Sequence, residues 1–193
     1  MARHKEFDQD KALDKAMTLF WQKGYEATSI QDLIDCMGIG RRSLYDTFTS
    51  KHDLFIAALD RYRDKAYEST AISGESLVSP KAAIREIFDG IAAEAVADTD
   101  RKGCFVVNSA VELAGQDEAV TLRSISSFQD LEYIFHELLH QAQQARELSL
   151  DHDIQALAQY LTNAVFGIRV MSKMNPDKQV LTNVVNLTLS ILD

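Results

Sequence analysis

The sequence predicts an all-α protein of about nine helices. A small N-terminal head would carry a helix-turn-helix, and a larger C-terminal helical domain would come after it. Three observations lead there. Apolar residues recur at helical spacing, as at Ile30, Leu33, Ile34 and Met37, which stand at i, i+3, i+4 and i+7. No segment shows sustained two-residue alternation bounded by turn signals, the pattern of hairpins. Breaks at Gly24, Gly38-Ile39-Gly40, Gly115 and Asn175-Pro176 separate the periodic runs.

The first helix is expected from about Asp8 to Lys23, with Leu13, Ala16, Met17, Phe20 and Trp21 as its apolar stripe and Gly24 as its end. Two short helices come next, joined by the glycine turn. Gly38 suits the left-handed cap of the first, because without a Cβ a positive φ costs little. The second, roughly Arg41 to Phe48, turns Leu44 and Phe48 inward and leaves Arg41, Arg42, Ser43 and Thr47 facing out. Ser50 reads as the N-cap of the next helix, with Asp53 three residues on as a capping-box variant. Phe20, Trp21, Phe48 and Phe55 would supply the bulk of the head's core. A core of about 50 residues is marginal alone, so the head is expected to lean on the larger domain.

Ile72 to Pro80, ISGESLVSP, is the clearest break, and Ser79-Pro80 makes an N-cap and N1 pair. Beyond it helices are expected at about Pro80–Ala97, Cys104–Ala114, Asp117–Glu147, Asp151–Met174 and Asp177–Leu192. Residues 1–65 would form the head, with the helix-turn-helix at about 29–48, and 66–193 the second domain.

Composition allows this. The 193 residues are 46% apolar and 25% charged, ordinary values for a globular protein. No apolar run nears the roughly 18 residues a membrane span needs, and MARHKEFDQDKALDK has no apolar segment of the signal-peptide kind. A cytoplasmic protein without membrane contact is the expectation. Cys36 and Cys104 do not read as a disulfide framework. The net charge of −9 lies wholly in residues 66–193. The first 65 residues are neutral, with eleven Lys/Arg against eleven Asp/Glu. A neutral head with local basic clusters can meet phosphates while an acidic remainder stays away from them.

The stretch LFWQKGYEATSIQDLIDCMGIGRRSLYDTFTSKHDLF, Leu19 to Phe55, resembles the DNA-binding segment of the tetracycline-repressor (TetR) family of bacterial transcriptional regulators. The match includes the Gly-aromatic-x-x-Thr-Ser entry, the turn, and the Ser-Leu-Tyr-x-x-Phe-x-Ser-Lys segment. KGCFVVNSAVELAG at 102–115 is similar to a segment in the ligand-binding part of many members. The resemblance implies a regulator and not an enzyme, expected to repress from an inverted-repeat operator in double-stranded DNA. Thr28, Tyr45 and Lys51 stand where the family contacts phosphate. Arg41, Arg42 and Ser43 stand where it reads base edges in the major groove, and arginine can grip guanine bidentately. The family also implies a homodimer, here through about residues 151–192, and an unidentified small-molecule inducer among the central helices. No cofactor is implied. Arg42 and Asp46 depart from the family's usual residues, and an i, i+4 pairing would reconcile the acid with nearby phosphates.

Two motifs compete with this reading. His136-Glu137-Leu138-Leu139-His140 is a literal HExxH, which could place two histidines on one helical face for zinc. A protease site needs a third ligand, and Arg146 stands where the extended pattern wants histidine, so ordinary helix residues are the weightier reading. Cys104 follows Arg101-Lys102, and cations beside a thiol can make it a redox sensor. A buried apolar role is the commoner fate. Phe88, Phe105, Phe128, Tyr133, Phe135 and Phe166 could line a ligand cavity, but as stripe residues they read first as core.

Overall fold

Side-chain caps decide where most of the helices begin. In the computed structural model, which describes residues 7–73, 79–174 and 176–193, the carboxylates of Asp8, Asp117 and Asp177 and the hydroxyls of Ser29 and Ser79 each accept from the backbone N–H three residues on. Each bond satisfies a donor that a helix start would leave open. Among the described residues the elements are α1 (Gln9–Lys23), α2 (Ile30–Met37), α3 (Arg41–Phe48), α4 (Lys51–Ser73), α5 (Pro80–Ala97), α6 (Phe105–Leu113), α7 (Glu118–Gln144), α8 (Ile154–Met174) and α9 (Lys178–Leu189), closed by a 3-10 turn, Ser190–Leu192. The described residues hold no strand.

Four boundaries differ from the sequence reading, the last being α9, which stops at Leu189 and leaves Ser190–Leu192 to the 3-10 turn. Helix α4 runs on to Ser73, past residue 65 and into the stretch expected to break the chain. Residues 74–78 of that stretch, and Asn175 of the later break, lie outside the described residues. Helix α7 stops at Gln144, where Arg146 takes a φ of 59° and the N–H groups of Glu147 and Leu148 both return to the Ala142 carbonyl. Just beyond, the Glu147 carboxylate accepts from the Ser79 hydroxyl at 2.8 Å and from the Lys81 N–H at 3.1 Å and so anchors the start of α5. Helix α8 begins at Ile154 because Asp153 Oδ1 accepts from the N–H groups of Gln155 and Ala156, the contacts of an N-cap.

Two apolar cores result. One joins Ile84 and Phe88 of α5, Phe135 and Leu139 of α7, Leu161 and Ile168 of α8, and Leu181 and Val185 of α9. The other is the head core of Phe20, Leu33, Leu44, Leu54 and Phe55, and it takes in Phe105 and Leu113 of α6 and Val120 of α7. The head therefore does lean on the larger domain. Rings make the link continuous: Phe20 meets Phe55 at 5.0 Å, Phe55 meets Phe105 at 5.6 Å, and Phe105 meets Tyr62 at 5.8 Å. Trp21 packs against the head core from its edge and is not one of its buried members. It lies half-buried at the seam, edge-on to Tyr62 at 5.0 Å, with Nε1 donating to the Gly103 carbonyl at 3.1 Å. Between α4 and α7, Arg123 grips Asp60 through two nitrogens, Arg63 meets Asp130 at 2.8 Å and His52 meets Asp117 at 2.6 Å.

Candidate nucleic-acid interface

The interface begins at the entry to α2. Ser29 and Asp32 form a reciprocal capping box, with Asp32 N–H donating to the Ser29 hydroxyl at 3.0 Å and Ser29 N–H to the Asp32 carboxylate at 2.9 Å. Lys23 adds an ion pair to Asp32 at 3.0 Å. These contacts, the Ser29 backbone N–H first, then its hydroxyl and Lys23, hold the Asp32 carboxyl down at about 2, from an ordinary 3.8. A depressed folded value stabilises above the unfolded one, so the contribution is complete above pH 3.8 and is lost as pH falls through about 2. Carboxyl NMR should find Asp32 titrating near 2, and Asp32→Asn should flatten the acid limb of the unfolding midpoint; titration near 3.8 would contradict the box.

Gly38 then takes the left-handed conformation (φ 72°, ψ 33°) that stops α2, and its N–H donates to the Ile34 carbonyl at 2.9 Å. Ile39 is buried beneath the turn. Gly40 starts α3 without a side-chain cap, which leaves the helix end open to solvent. Leu44 and Phe48 are buried, so the back of α3 is fixed to the head core. Its front presents Arg41, Arg42, Tyr45 and Asp46, all exposed, at i, i+1, i+4 and i+5. Ser43 and Thr47 flank that face half-buried. Arg42 Nε lies 3.6 Å from the Asp46 carboxylate, the expected pairing. At such exposure the pair is weak and does not fix the Arg42 guanidinium in place. Thr49, at φ 58°, bends the chain from α3 into α4.

The remaining expected contacts are placed differently from one another. Lys51 opens α4 with Nζ 4.2 Å above the Tyr25 ring, a cation-π seat that holds the ammonium at the head's edge. Thr28 is wholly buried, and its hydroxyl donates to the Gly24 carbonyl at 2.6 Å. In this arrangement it shapes the turn and does not reach the surface.

Two residues outside the sequence reading also shape this surface. Tyr25 seats Lys51. Glu112, from the last turn of α6, accepts from the backbone N–H groups of Tyr25 at 3.0 Å and Glu26 at 2.8 Å. The one sequence signal for Glu112 is its sign, since an acid in the last turn of a helix opposes the helix dipole unless donors meet it.

The HExxH histidines gain no third ligand among the described residues. Among the described residues no group of three or more His, Cys, Asp or Glu could hold a metal. His136 Nδ1 lies 3.5 Å from Glu137, and His140 is exposed beside Gln144. Cys104 is a buried free thiol at the start of α6, packed with Tyr62, Phe128 and Phe166. The Lys102 ammonium turns away, to Asp98, Asp100 and the Trp21 ring. Phe88, Phe105 and Phe135 are core, Phe128 and Phe166 pair at 4.2 Å, and Tyr133 is exposed.

Comparison with known proteins agrees with this geometry. The family model "Bacterial regulatory proteins, tetR family" matches residues 12–58, and "Tetracyclin repressor-like, C-terminal domain" matches residues 80–187. The chain is 37% identical over 196 residues to the HTH-type transcriptional regulator YezE of Bacillus subtilis, covering 100% of both. It is 35% identical over 194 residues to the HTH-type transcriptional repressor ComR of Escherichia coli, covering 98% of this chain and 90% of that one. Among solved structures, a cysteine mutant of the regulator CifR complexed with a 26bp double-strand operator DNA superposes with a TM-score of 0.89 at 28% identity, covering 100% of both chains.

Proposed function

Because the chain belongs to the tetR family of bacterial regulatory proteins, we propose a division of labour among its residues. The protein is a helix-turn-helix transcriptional regulator that binds double-stranded DNA, and it is not an enzyme. Arg41 and Arg42 read base edges, Ser43 supports them from the flank, and Tyr45 and Lys51 hold phosphates on either side. Thr28 acts by shaping the turn that presents them. Residues 1–65 form the reading part and 66–193 the ligand-binding and dimerisation part, although α4 and Phe105 cross that division. The protein works in the cytoplasm as a repressor, bound to an inverted repeat and released by a small ligand held in the second part. No helix among the described residues is long and apolar enough to cross a membrane.

The observation that carries this reading is the face of α3, where two arginines and a tyrosine stand exposed on a helix whose back is locked into the core. A mobility shift with duplexes selected from a random pool, extended to footprinting, tests it. The wild-type chain should recover a two-fold repeat with half-sites about one helical turn apart or a multiple of it. Arg42→Ala should lose about 1–3 kcal/mol of discrimination at one base pair of each half-site. Lys51→Ala should weaken binding to all sequences alike and reduce the salt slope by about 1. Equal loss on all sequences in Arg42→Ala would move that residue from the base readers to the phosphate contacts.

A further inference from the structure

Helix α6 is bonded to the head at both ends. Just before it, the Gly103 carbonyl accepts from Trp21 Nε1 at 3.1 Å. In its last turn, Glu112 receives the N–H groups of Tyr25 and Glu26 on its two oxygens. Phe105 and Leu113 are buried in the head core, whereas Val106 and Val107 face the opposite cluster with Phe128 and Phe166. One short helix thus lies between the two halves of the molecule.

Glu112 is the part of this contact least explained by packing. A carboxylate there opposes the C-terminal end of the α6 dipole, and two backbone donors from the head meet it. Bonds from N–H to an ionised carboxylate are about twice as strong as neutral ones. The turn is built to admit it. Gly24 has a φ of 84°, and a Cβ there would lie 2.8 Å from Glu112 Oε2. The same turn holds Tyr25, whose ring seats the Lys51 ammonium, and leads through Thr28 to the cap of α2. The head is also held by α4, which is continuous with it, by the Trp21–Gly103 bond and by the packing of Phe105 and Leu113. Among these attachments the Glu112 carboxylate is the one made at the α1–α2 turn itself, next to the helix-turn-helix.

We propose that Glu112 is a positioning residue for DNA reading: by tying the α1–α2 turn to α6 it fixes the angle at which α3 is presented, and with it the spacing of the two half-sites that the dimer accepts. The proposal rests on the reading of the protein as a dimer on an inverted repeat.

The test uses the full-length chain, the repeat selected by the wild-type protein, the same repeat with one base pair added to or removed from its centre, and a single half-site duplex. One base pair turns the second half-site by roughly 35°, and the wild type should lose about tenfold or more in affinity for either altered repeat, since linked heads that cannot engage together lose their avidity. In Glu112→Gln the carboxamide offers one acceptor and turns a donor toward the second N–H. Half-site affinity should stay within about twofold, selected-repeat affinity should fall about tenfold, and the penalty for altered spacing should shrink to about threefold or less. Glu112→Asp keeps both oxygens one methylene shorter and should lie between, which provides the measurement if the glutamine variant does not fold. An unchanged spacing penalty in the folded variants would overturn the proposal, as would a half-site loss that parallels the loss on the whole repeat. A wild-type chain that recovers no repeat would remove the underlying reading itself, an outcome seen before any variant is compared.

Discussion

Phe55→Ala should destabilise the protein by about 3–5 kcal/mol, the range for removing a large ring from a closed core. Phe55 is fully buried on α4, and it touches more than its own domain. Its ring meets Phe20 at 5.0 Å and Tyr25 at 4.9 Å within the head, and Phe105 of α6 at 5.6 Å. The cavity would therefore open where the head joins the body. Neighbours held from both sides cannot easily collapse into it, which places the cost toward the upper end. Chemical denaturation monitored by circular dichroism would measure it. Phe88→Ala, in the separate core beside Phe135, should cost a similar amount while leaving operator affinity of the folded fraction unchanged. Phe55→Ala should weaken that affinity as well, because Tyr25 and Lys51 lose their support. A loss below about 1.5 kcal/mol for Phe55→Ala would mean that the seam repacks freely.

The second large effect is expected at the surface of the last two helices. Along α8, Ala156, Tyr160, Asn163, Gly167, Val170 and Met174 are exposed at helical spacing, and on α9 Leu187 and Ile191 are exposed at i, i+4. Leu187 is 76% exposed and Met174 68%, and with Tyr160, Val170 and Ile191 they place several exposed apolar side chains on these two helices. We place the dimer contact here. Val170→Glu combined with Leu187→Glu would bury carboxylates against an apolar partner face, so sedimentation should show a monomer where the wild type is a dimer. The helical content should not change, since neither side chain contributes to the core. Operator affinity should then fall by about 10²–10⁴-fold, the loss expected when two linked heads become independent. A variant that stays dimeric would move the interface elsewhere.

Much of the fold was legible because helices carry their instructions locally. The end of α2 at Gly38, the span of α3 from Arg41 to Phe48 and the start of α5 at Ser79-Pro80 each depend on residues within one turn of the boundary. The differences arose where no glycine marked a turn or where a distant group competed. Helix α7 ends short of Glu147 on a positive φ at Arg146. Trp21 had the spacing of a core residue, but its indole N–H required an acceptor, and Gly103 supplied one across the seam.

The reading face shows the same division. The order and type of Arg41, Arg42, Tyr45 and Lys51, the inward turn of Leu44 and Phe48, and the family itself come from local spacing and residue chemistry. That Thr28 is buried, that Lys51 rests on Tyr25, and that Glu112 clasps the turn were decided only by tertiary structure. The physical reason is separation along the chain. A carboxylate 87 residues from the N–H it accepts leaves no periodicity at either position, and only the packing of α6 against the head brings the two together.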